Sequence, residues 1–413
     1  MSLRFIYHIL INITWLGLHV VALFNAKIKL FVHGRKQTFS ILKEKLAPGD
    51  KTIWMHVASL GEFEQGLPIL ERLRSQYPNH KLVLSFFSPS GYEVKKNTPA
   101  ADVVVYLPMD HLSNAKHFLK LVQPELAIFV KYEVWPNYLH QLKKQNIPTL
   151  LISAIFSKRQ IYFKAYGGFM RKSLQKFDAY FVQDDDSKKL LESIGIANAQ
   201  VGGDTRLDRV SEILERNNRL DFMDSFKNNQ LCLVAGSTWP EDEAILIDYI
   251  NHTKERLKLV IAPHQIKPSH IEKITAALKK NTVCYSELGN QNLKEVDVLI
   301  IDTIGLLTKI YSYANIAYVG GGFATGLHNT MEPAVFGIPI VIGPQFEGFK
   351  EAEDLVKAGG IVPVSSKDSF LNLMKDLLDH PTTLQNKGKI NSDYINSNKG
   401  ASDLIMKYVS TVL

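Results

Sequence analysis

The segment Ile316–Pro333 reads IAYVGGGFATGLHNTMEP and decides how the second half of the chain is interpreted. Its first four residues form an apolar, β-prone run of the kind that a buried parallel strand shows. Gly320, Gly321 and Gly322 follow at once, and the remaining residues lead into a helix. Glycines let a backbone approach a phosphate closely, and the start of a helix offers free N–H groups and a positive dipole. The segment therefore predicts an anion-binding turn between a strand and a helix.

The polar residues of this turn have two interpretations. In the first, the turn holds a nucleotide, and the contact residues are Gly321, Gly322, His328, Asn329 and Glu332. Glu332 would then accept hydrogen bonds from two ribose hydroxyls. In the second, Asn329 caps the helix and Glu332 completes a capping box, with Pro333 tolerated in the first turn. Spacing alone leaves both interpretations open.

The same alternation of strand-like and helix-like patterns covers most of the chain. Short apolar runs of the kind found in buried parallel strands lie on both sides of a polar stretch, 206–229. The runs are Thr52–Ala58, Lys81–Phe87, Val103–Leu107, Leu126–Val130, Thr149–Ser153, Ala179–Val182, Leu231–Ala235, Leu259–Ala262, Val298–Ile301, Ile316–Val319 and Pro339–Ile342. Repeated strand–helix–strand units predict an α/β protein with two Rossmann-like domains facing a cleft, where ligands of such folds bind.

The length of 413 residues suits two such domains with additional segments. We expect an N-terminal hydrophobic segment over 1–30, a first domain over 31–208 and a second over 209–413. The last helix, from about Asp393, is expected to pack back on the first domain. With 46% hydrophobic and 22% charged residues, the composition is that of a folded globular protein.

The charge and the cysteine content limit the classes of partner. A formal net charge of +7 favours anionic partners such as phosphorylated substrates or an acidic membrane surface. A nucleic-acid binder would need a more concentrated basic face, so we expect no nucleic acid as partner. Cys232 and Cys284 each lie in an apolar run, which predicts reduced, buried thiols. No Cys and His spacing typical of a metal site occurs in the sequence.

The N-terminus predicts a membrane anchor. The stretch 5–26 has no charged residue, and as a helix it would be about 33 Å long, enough to cross the core of a bilayer. The alternative is a buried core helix, since polar residues interrupt the stretch. Basic residues concentrate after it rather than before it, at Lys27, Lys29, Arg35 and Lys36. The positive-inside rule then places the rest of the chain in the cytoplasm.

A second stretch, 158–176, combines six basic residues and no acidic one with interleaved aromatic side chains. This mixture suits an anionic lipid interface. A solvated helix face with its aromatic residues in the core explains it equally well.

The first candidate for chemistry is the stretch 56–62, which reads HVASLGE and joins a strand to a helix that begins near Glu62. A carboxylate at the carboxyl end of a strand, facing a cleft, can act as a general base. Alternatively, Ser59 caps the helix and Glu62 completes a capping box. The spacing fits both roles.

A second carboxylate follows another strand, in the stretch 131–137, which reads KYEVWPN. Trp135, Pro136 and the asparagine after them require a fixed turn that would aim Glu133 at the same cleft. Two carboxylates at neighbouring strand ends suit one active site. The alternative is a surface ion pair between Glu133 and Lys131, which would contribute little.

Two further turns could hold a phosphate. In one, Arg206 would neutralise the phosphate, and in the other Ser237 and Thr238 would donate hydrogen bonds to it. The alternatives are a salt bridge between domains for Arg206 and a helix cap for Ser237 or Thr238. Asp184–Asp186 resembles a metal-binding Asp-x-Asp pair, but its position at the start of a helix favours capping.

These motifs together resemble the 3-deoxy-D-manno-octulosonic acid (Kdo) transferases of lipopolysaccharide and lipid A synthesis, over nearly the whole chain from Gly34-Arg35 onward. The stretch 56–62 is similar to the family's His-x-x-Ser-x-Gly-Glu segment, and Glu133–Asn137 to its Glu-x-Trp-Pro-Asn segment. Gly236-Ser237-Thr238, Ala262-Pro263-His264 and 328–334 resemble its donor-side motifs. The chain departs from the family at Lys131, at Ser153-Ala154-Ile155 and at Pro263-His264-Gln265.

The resemblance implies a GT-B fold and an inverting glycosyltransferase that moves Kdo from CMP-Kdo to lipid IVA, the acylated, phosphorylated glucosamine disaccharide precursor of lipid A. It implies neither a metal nor another cofactor, and a location at the inner membrane with the catalytic domains on the cytoplasmic side. The expected catalytic residues are Glu62, as the base, and Glu133. The expected donor contacts are Arg206, Ser237, Thr238, Pro263, His264, Gly321, Gly322, His328, Asn329 and Glu332, and the expected acceptor contacts are Ser59, Gly61, Lys131 and Trp135.

Two alternatives belong to other functional classes. A lipid glycosyltransferase or an epimerase acting on a UDP-sugar would use a similar cleft, and the nucleotide released on turnover distinguishes them. A membrane scaffold without catalytic activity would have no use for two carboxylates at strand ends.

Overall fold

The computed structural model describes residues 3–289, 291–324 and 326–413. Thr325, which is part of the glycine-rich turn, lies outside the described residues. The chain divides into two compact units, Met1–Asp208 together with Asn398–Leu413, and Arg209–Ser397. The second domain was expected to extend to residue 413, whereas the end of the chain lies in the first unit.

The first unit is built on one parallel sheet. Its strands are β1 (Thr52–Val57), β2 (Lys81–Phe86), β3 (Val103–Tyr106), β4 (Pro124–Val130), β5 (Thr149–Ala154), β6 (Ala179–Val182) and β7 (Ala199–Val201), in the order β3-β2-β1-β4-β5-β6-β7. The six predicted strands are all present, with ends that differ by no more than two residues. The sequence reading missed β7, which has only three residues, of which two are exposed.

The second unit contains another parallel sheet. Its strands are β8 (Leu231–Thr238), β9 (Leu257–Pro263), β10 (Thr282–Cys284), β11 (Val298–Ile300), β12 (Ile316–Val319), β13 (Ile340–Ile342) and β14 (Ile361–Pro363), in the order β10-β11-β9-β8-β12-β13-β14. The short edge strands β10 and β14 were not among the predicted strands. The predicted α/β class with two Rossmann-like sheets is confirmed.

Helices connect the strands and cover both faces of each sheet. They are α1 (Leu3–Val21), α2 (Ala26–Lys45), α3 (Leu60–Gln76), α4 (Pro89–Lys95), α5 (Leu112–Val122), α6 (Pro136–Lys144), α7 (Gly168–Leu174), α8 (Asp185–Glu192), α9 (Thr205–Ser211), α10 (Asp221–Lys227), α11 (Pro240–His252), α12 (Pro268–Ala277), α13 (Leu307–Ile310), α14 (Met331–Val335), α15 (Lys350–Ala358), α16 (Lys367–Asp379), α17 (Pro381–Asn398) and α18 (Ala401–Val412).

The core of the first unit explains why its strands read as continuous apolar runs. Every residue of β1 is buried, with Trp54 in the cluster on one face of the sheet and Met55 in the cluster on the other. Alternate side chains of a strand point to opposite faces, so a strand that helices cover on both sides must be apolar throughout.

The last helix, α18, packs on the first unit. Ile405, Met406 and Val409 are buried in the same cluster as Met55. The carboxylate of Asp208 accepts hydrogen bonds from the N–H groups that begin this helix, including that of Ser402 at 2.7 Å. A buried apolar stripe on α18 therefore holds the end of the chain in the first unit.

Helix α1 has one face on the protein and an exposed apolar face. Ile11 is buried in a small cluster with Val32 of α2 and Met109. The opposite face exposes large apolar side chains, among them Ile13 and Leu16. Among the described residues, α1 is the one helix that is long and apolar enough, by length and composition, to cross a membrane. This finding suggests that the chain associates with membranes.

Candidate functional site

Two carboxylates lie at the carboxyl edge of the first sheet. Strand β1 ends at Val57 and pairs in parallel with β4, which ends at Val130. Glu62 lies in the first turn of α3, and Glu133 lies in the loop between β4 and α6. Parallel pairing of β1 and β4 thus brings both segments to the same edge of the sheet.

Glu62 helps to cap the N-terminus of α3 and also lies beside Glu133. The Ser59 hydroxyl oxygen caps α3 by accepting the N–H of Glu62, and the Glu62 carboxylate accepts the N–H of Ala58. The capping interpretation is therefore correct for Ser59, but the reciprocal bond goes to Ala58 rather than to the Ser59 N–H of a capping box. The Glu62 residue is 5% exposed.

The protonation of Glu62 follows from this burial. Burial raises the pKa of Glu62 to about 8, and the negative charge of Glu133 adds to the rise. The Ala58 N–H and the positive charge of Lys131 act in the opposite direction. A carboxyl group with such a pKa accepts a proton near neutral pH far more readily than an exposed one.

Glu133 is held by a row of buried polar groups. Its Oε2 accepts a hydrogen bond from the indole N–H of Trp135 at 2.9 Å and lies 3.1 Å from Nε2 of His56. The other ring nitrogen of His56 lies 2.9 Å from Oγ of Ser85, which accepts the indole N–H of Trp54. Sequence reasoning missed the role of Ser85, because nothing in a β-strand pattern marks one serine as a partner for a histidine on the next strand.

The surface ion pair considered for Glu133 is wrong, since among the described residues the partners of Glu133 are His56 and Trp135, not Lys131. Lys131 follows β4 directly with a left-handed backbone, φ 60°, and its charge acts on Glu62. Of the expected acceptor contacts, Ser59 is partly buried and Gly61 is exposed on the first turn of α3. All of these residues lie at the edge that carries the two carboxylates.

Asp110 is a residue of this edge that sequence reasoning missed. It is fully buried, and its carboxylate accepts the N–H groups of Asn137 and Tyr138 in the first turn of α6. It also accepts a hydrogen bond from the hydroxyl of Tyr7 on α1. The available signal was a carboxylate soon after the strand-like run Val103–Leu107.

Arg206 lies at the start of α9, in the turn after β7. Its guanidinium donates to the carboxylate of Asp204, with the closest N–O distance 2.7 Å, and that carboxylate also accepts from the side chain of Gln65. Burial raises the pKa of Asp204, but Arg206 and the hydrogen bonds outweigh this and hold it below its usual range. Arg206 therefore forms an ion pair with a carboxylate of its own turn.

The glycines of the second unit are required by contacts between protein segments. A Cβ on Gly320 would lie 2.4 Å from the carbonyl oxygen of Ser237, and one on Gly322 would lie 2.8 Å from the backbone of Gly343. Gly321 has a left-handed φ of 95°, and its N–H donates to the buried carboxylate of Asp242. Close packing of neighbouring turns therefore already requires these glycines, whether or not a phosphate approaches them.

The alternative interpretation of this turn as a capping box is wrong. Helix α14 has only five residues and begins at Met331, and the oxygen of the Asn329 side chain accepts the Met331 N–H. The Asn329 amide donates to one oxygen of Glu332, and Thr308 donates to the other. Each carboxylate oxygen of Glu332 has a lone pair left for a further donor.

Three aromatic rings lie beside this turn. Trp239 and His264 stack with centroids 4.8 Å apart, and His264 lies 4.6 Å from His328. The indole N–H of Trp239 donates to Nε2 of His328 at 3.0 Å. Burial and the nearby His264 lower the pKa of His328, so this ring is neutral and accepts the indole hydrogen.

Ser237 and Thr238 end the long strand β8 beside these rings. Ser237 has a left-handed backbone, φ 54°, and Thr238 donates its hydroxyl hydrogen to Glu243. Helix α11 has Trp239 as its N-cap, so the helix-cap interpretation of the serine and threonine is wrong. Pro263 ends the neighbouring strand β9, where it pairs with Thr238.

The remaining sequence motifs have structural roles. Asp184 caps α8 by accepting the N–H of Ser187 at 2.8 Å, as the capping interpretation predicted. Within the described ranges no group of three or more His, Cys, Asp or Glu side chains could hold a metal ion. The aromatic residues of the basic stretch 158–176 lie partly in the core and partly on the surface, since Tyr162 is buried and Tyr166 is exposed.

Comparison with known proteins defines the class. The family model described as 3-deoxy-D-manno-octulosonic-acid transferase (Kdo transferase) matches residues 33–209. The chain is 27% identical to a 3-deoxy-D-manno-octulosonic acid transferase of Chlamydophila psittaci over 86% of this chain and 84% of the relative. It is also 27% identical to the Haemophilus influenzae enzyme of that name, over 99% of both chains.

Solved structures support the fold. A UDP-GlcNAc 2-epimerase from Neisseria meningitidis aligns with a TM-score of 0.59 at 15% identity, over 87% of this chain and 100% of that one. This likeness concerns the fold alone. The similarity to curated Kdo transferases over most of the chain, together with two parallel sheets of the GT-B type, makes the chain a glycosyltransferase. It is similar to the Kdo transferases of lipopolysaccharide synthesis, as the motif resemblance predicted.

Proposed function

We propose that the chain transfers Kdo from CMP-Kdo to a primary hydroxyl of lipid IVA on the cytoplasmic side of the inner membrane. The observation that carries the proposal is the buried Glu62 next to Glu133, with the pKa of Glu62 raised to about 8. A hydroxyl group is a weak nucleophile at neutral pH, so its attack requires a base of this kind. The similarity to Kdo transferases supports the choice of sugar.

In the proposed reaction, Glu62 accepts the proton of the acceptor hydroxyl while its oxygen bonds to the anomeric carbon of Kdo. The bond between that carbon and the phosphate oxygen of CMP breaks on the opposite face, which inverts the configuration. CMP leaves with the bonding electron pair. We assign Glu133 to keeping the pKa of Glu62 high, because its charge disfavours a second carboxylate nearby.

For the donor, we assign the phosphate to Arg206, Ser237, Thr238, Gly321 and Gly322, and the nucleoside to Pro263, His264, His328, Asn329 and Glu332. Glu332 supports this assignment because its two oxygens are held by neutral donors and retain acceptor capacity. Held in place in this way, it can accept from ribose hydroxyls. For the acceptor, we assign contacts to Ser59, Gly61, Lys131 and Trp135.

The lipid acceptor requires access to a membrane. The exposed apolar face of α1, with Ile13 and Leu16, supports membrane attachment, and its other face packs on the protein through Ile11. A helix of this kind would lie along the membrane surface with its apolar side in the lipid. The exposed Tyr166 and the basic residues of 158–176 would add contacts to anionic headgroups.

The test replaces the proposed base. Glu62→Gln preserves the size of the side chain and an oxygen that can accept the Ala58 N–H, so turnover should fall by at least ~100-fold with CMP-Kdo affinity unchanged. The matched control is Glu64→Gln on the same helix, whose carboxylate pairs with Lys95 at 3.2 Å. Turnover in Glu62→Gln equal to that of the control would refute the role of Glu62.

A further inference from the structure

A single buried carboxylate joins the N-terminal helix to the active-site edge. Asp110 lies in the segment between β3 and α5 and is fully buried. Its Oδ2 accepts the phenol O–H of Tyr7 on α1 at 2.6 Å. Tyr7 also packs on Phe169, with ring centroids 5.3 Å apart. Helix α1 is therefore attached to the first unit by a specific polar contact as well as by apolar packing.

The same carboxylate also caps the N-terminus of α6. It accepts the N–H of Asn137 at 3.0 Å and that of Tyr138 at 3.1 Å, and the Asn137 amide donates to the Asp110 carbonyl. The residue before α6, Trp135, provides no side-chain cap. The first N–H groups of a helix need acceptors, so Asp110 supplies from another segment what a local cap would provide.

The first turn of α6 in turn fixes Glu133. Trp135 precedes α6 directly, and its indole donates to Glu133 at 2.9 Å. Pro136, the first residue of α6, limits the backbone freedom between the two. A shift of this turn would therefore move both the donor and the carboxylate that it holds.

We propose that Tyr7 and Asp110 are positioning residues for Glu133, so that the seating of α1 on the first unit sets the geometry of the two catalytic carboxylates. The inference rests on the proposed function, because Kdo transfer is the reaction that reports on this geometry. Membrane attachment of α1 and the arrangement of the active site would thus depend on one another.

The electrostatics of Asp110 show how the Tyr7 contact acts at a distance. Burial raises the pKa of Asp110 to about 7, while the Tyr7 hydroxyl, the two helix amides and the charge of Arg4 lower it. Near neutral pH, the ionised and protonated forms of the Asp110 carboxyl group are therefore close in free energy. Loss of the Tyr7 hydroxyl favours the protonated form, which accepts the helix amides less strongly.

The experiment compares Tyr7→Phe with Ile11→Val in the full-length protein bound to vesicles. Tyr7→Phe removes the hydroxyl and keeps the ring on Phe169. Ile11→Val loosens the apolar packing of the same helix on Val32 and Met109 and leaves the hydrogen bond between Tyr7 and Asp110 in place. Two quantities are measured in each variant: kcat and KM for CMP-Kdo, and hydrogen exchange of the backbone amides in 134–142.

Tyr7→Phe should lower kcat by about tenfold, the effect of losing one hydrogen bond to a charged group, with KM for CMP-Kdo changed less than about twofold. Its amides in 134–142 should exchange faster than those of the wild type. Ile11→Val should leave both quantities near the wild-type values.

The proposal is overturned if Tyr7→Phe keeps the wild-type kcat, or if Ile11→Val lowers kcat as much as Tyr7→Phe does. It is also overturned if kcat of Tyr7→Phe falls without faster hydrogen exchange in 134–142. If the wild type transfers no Kdo, the proposed function fails, and the exchange measurement alone then decides on the linkage. Faster exchange in Tyr7→Phe supports it, and unchanged exchange contradicts it.

Discussion

Nε2 of His56 lies 3.1 Å from Oε2 of Glu133, although the two residues are far apart in sequence. The parallel pairing of β1 with β4 brings them together. His56 is fully buried and is the link between Glu133 and the polar side chains inside the sheet. The position of Glu133 is therefore set by the core of the first unit rather than by its own loop alone.

We expect His56→Asn to lower kcat by about tenfold, because Glu133 loses a partner in a low-dielectric environment. The matched control is His80→Asn. His80 forms another histidine–glutamate pair of the same sheet, 2.8 Å from Glu125, which lies at the start of β4, away from the carboxyl edge. Steady-state kinetics of Kdo transfer provide the measurement, and equal losses in the two variants would contradict the role of His56.

Glu133→Gln should shift the pH dependence of the reaction. The charge of Glu133 helps to raise the pKa of Glu62 to about 8, so its removal lowers that pKa. The base is then deprotonated at lower pH, and the rising limb of kcat/KM against pH should move to lower pH. The maximal rate should fall as well, since a less basic carboxylate is a weaker base. A shift to higher pH would be inconsistent with this electrostatic role.

Glu62→Gln should stabilise the protein at high pH. Because the pKa of Glu62 is raised to about 8 in the folded state, the folded chain holds a proton between about pH 4 and 8 that the unfolded chain has lost. Stability therefore decreases as pH rises through this window. The variant lacks this penalty, so its unfolding midpoint should exceed that of the wild type by about 2–4 °C at pH 8.5 and match it near pH 4. The same difference at both pH values would argue against a raised pKa.

Gly320→Ala should destabilise the second unit. The new Cβ would lie 2.4 Å from the carbonyl oxygen of Ser237, a contact that backbone atoms must move to relieve. We expect a loss of about 1–3 kcal/mol in the free energy of unfolding, measured by denaturant titration. Gly168→Ala is the control, because its Cβ would meet no atom within 4 Å and its backbone is helical. A neutral Gly320→Ala would refute the packing explanation for this glycine.

Leu16→Glu should weaken membrane binding without unfolding the protein. Leu16 is among the most exposed apolar residues of α1, and its burial in lipid would contribute about 1.5–3 kcal/mol, so vesicle affinity should fall at least ~10-fold. Val94→Glu is the control, since Val94 is a comparably exposed apolar residue on α4. Vesicle flotation measures both variants. Equal binding of wild type and Leu16→Glu would rule out this face as the membrane contact.

The fold was largely predictable because a strand covered on both faces must be apolar along its length, as β1 and β4 are. The strands β7, β10 and β14 were missed because they are short and only partly buried, whereas β11 and β13, which are equally short but fully buried, form apolar runs. The return of α18 to the first unit depends on long-range packing of Ile405 and Val409, which sequence periodicity alone does not assign to a partner.

The parts of the candidate site that depend on neighbouring residues in the sequence were predictable. Glu62 and Glu133 follow strands, and the edge of a parallel sheet is where such residues meet. The ion pair of Glu133 with Lys131 was a wrong alternative, because its partner His56 comes from another strand. Asp110 was missed for the same reason: its partners Tyr7 and Asn137 lie far from it in sequence.

The identity of the transferred group tests the account most directly. Wild-type protein is incubated with vesicles containing lipid IVA and either CMP-Kdo or UDP-GlcNAc, and the lipid product and the released nucleotide are analysed by mass spectrometry. The account predicts release of CMP and lipid products heavier by whole Kdo units, with no product from UDP-GlcNAc. Release of UDP with transfer or epimerisation of its sugar, and an unmodified lipid with CMP-Kdo, would contradict it.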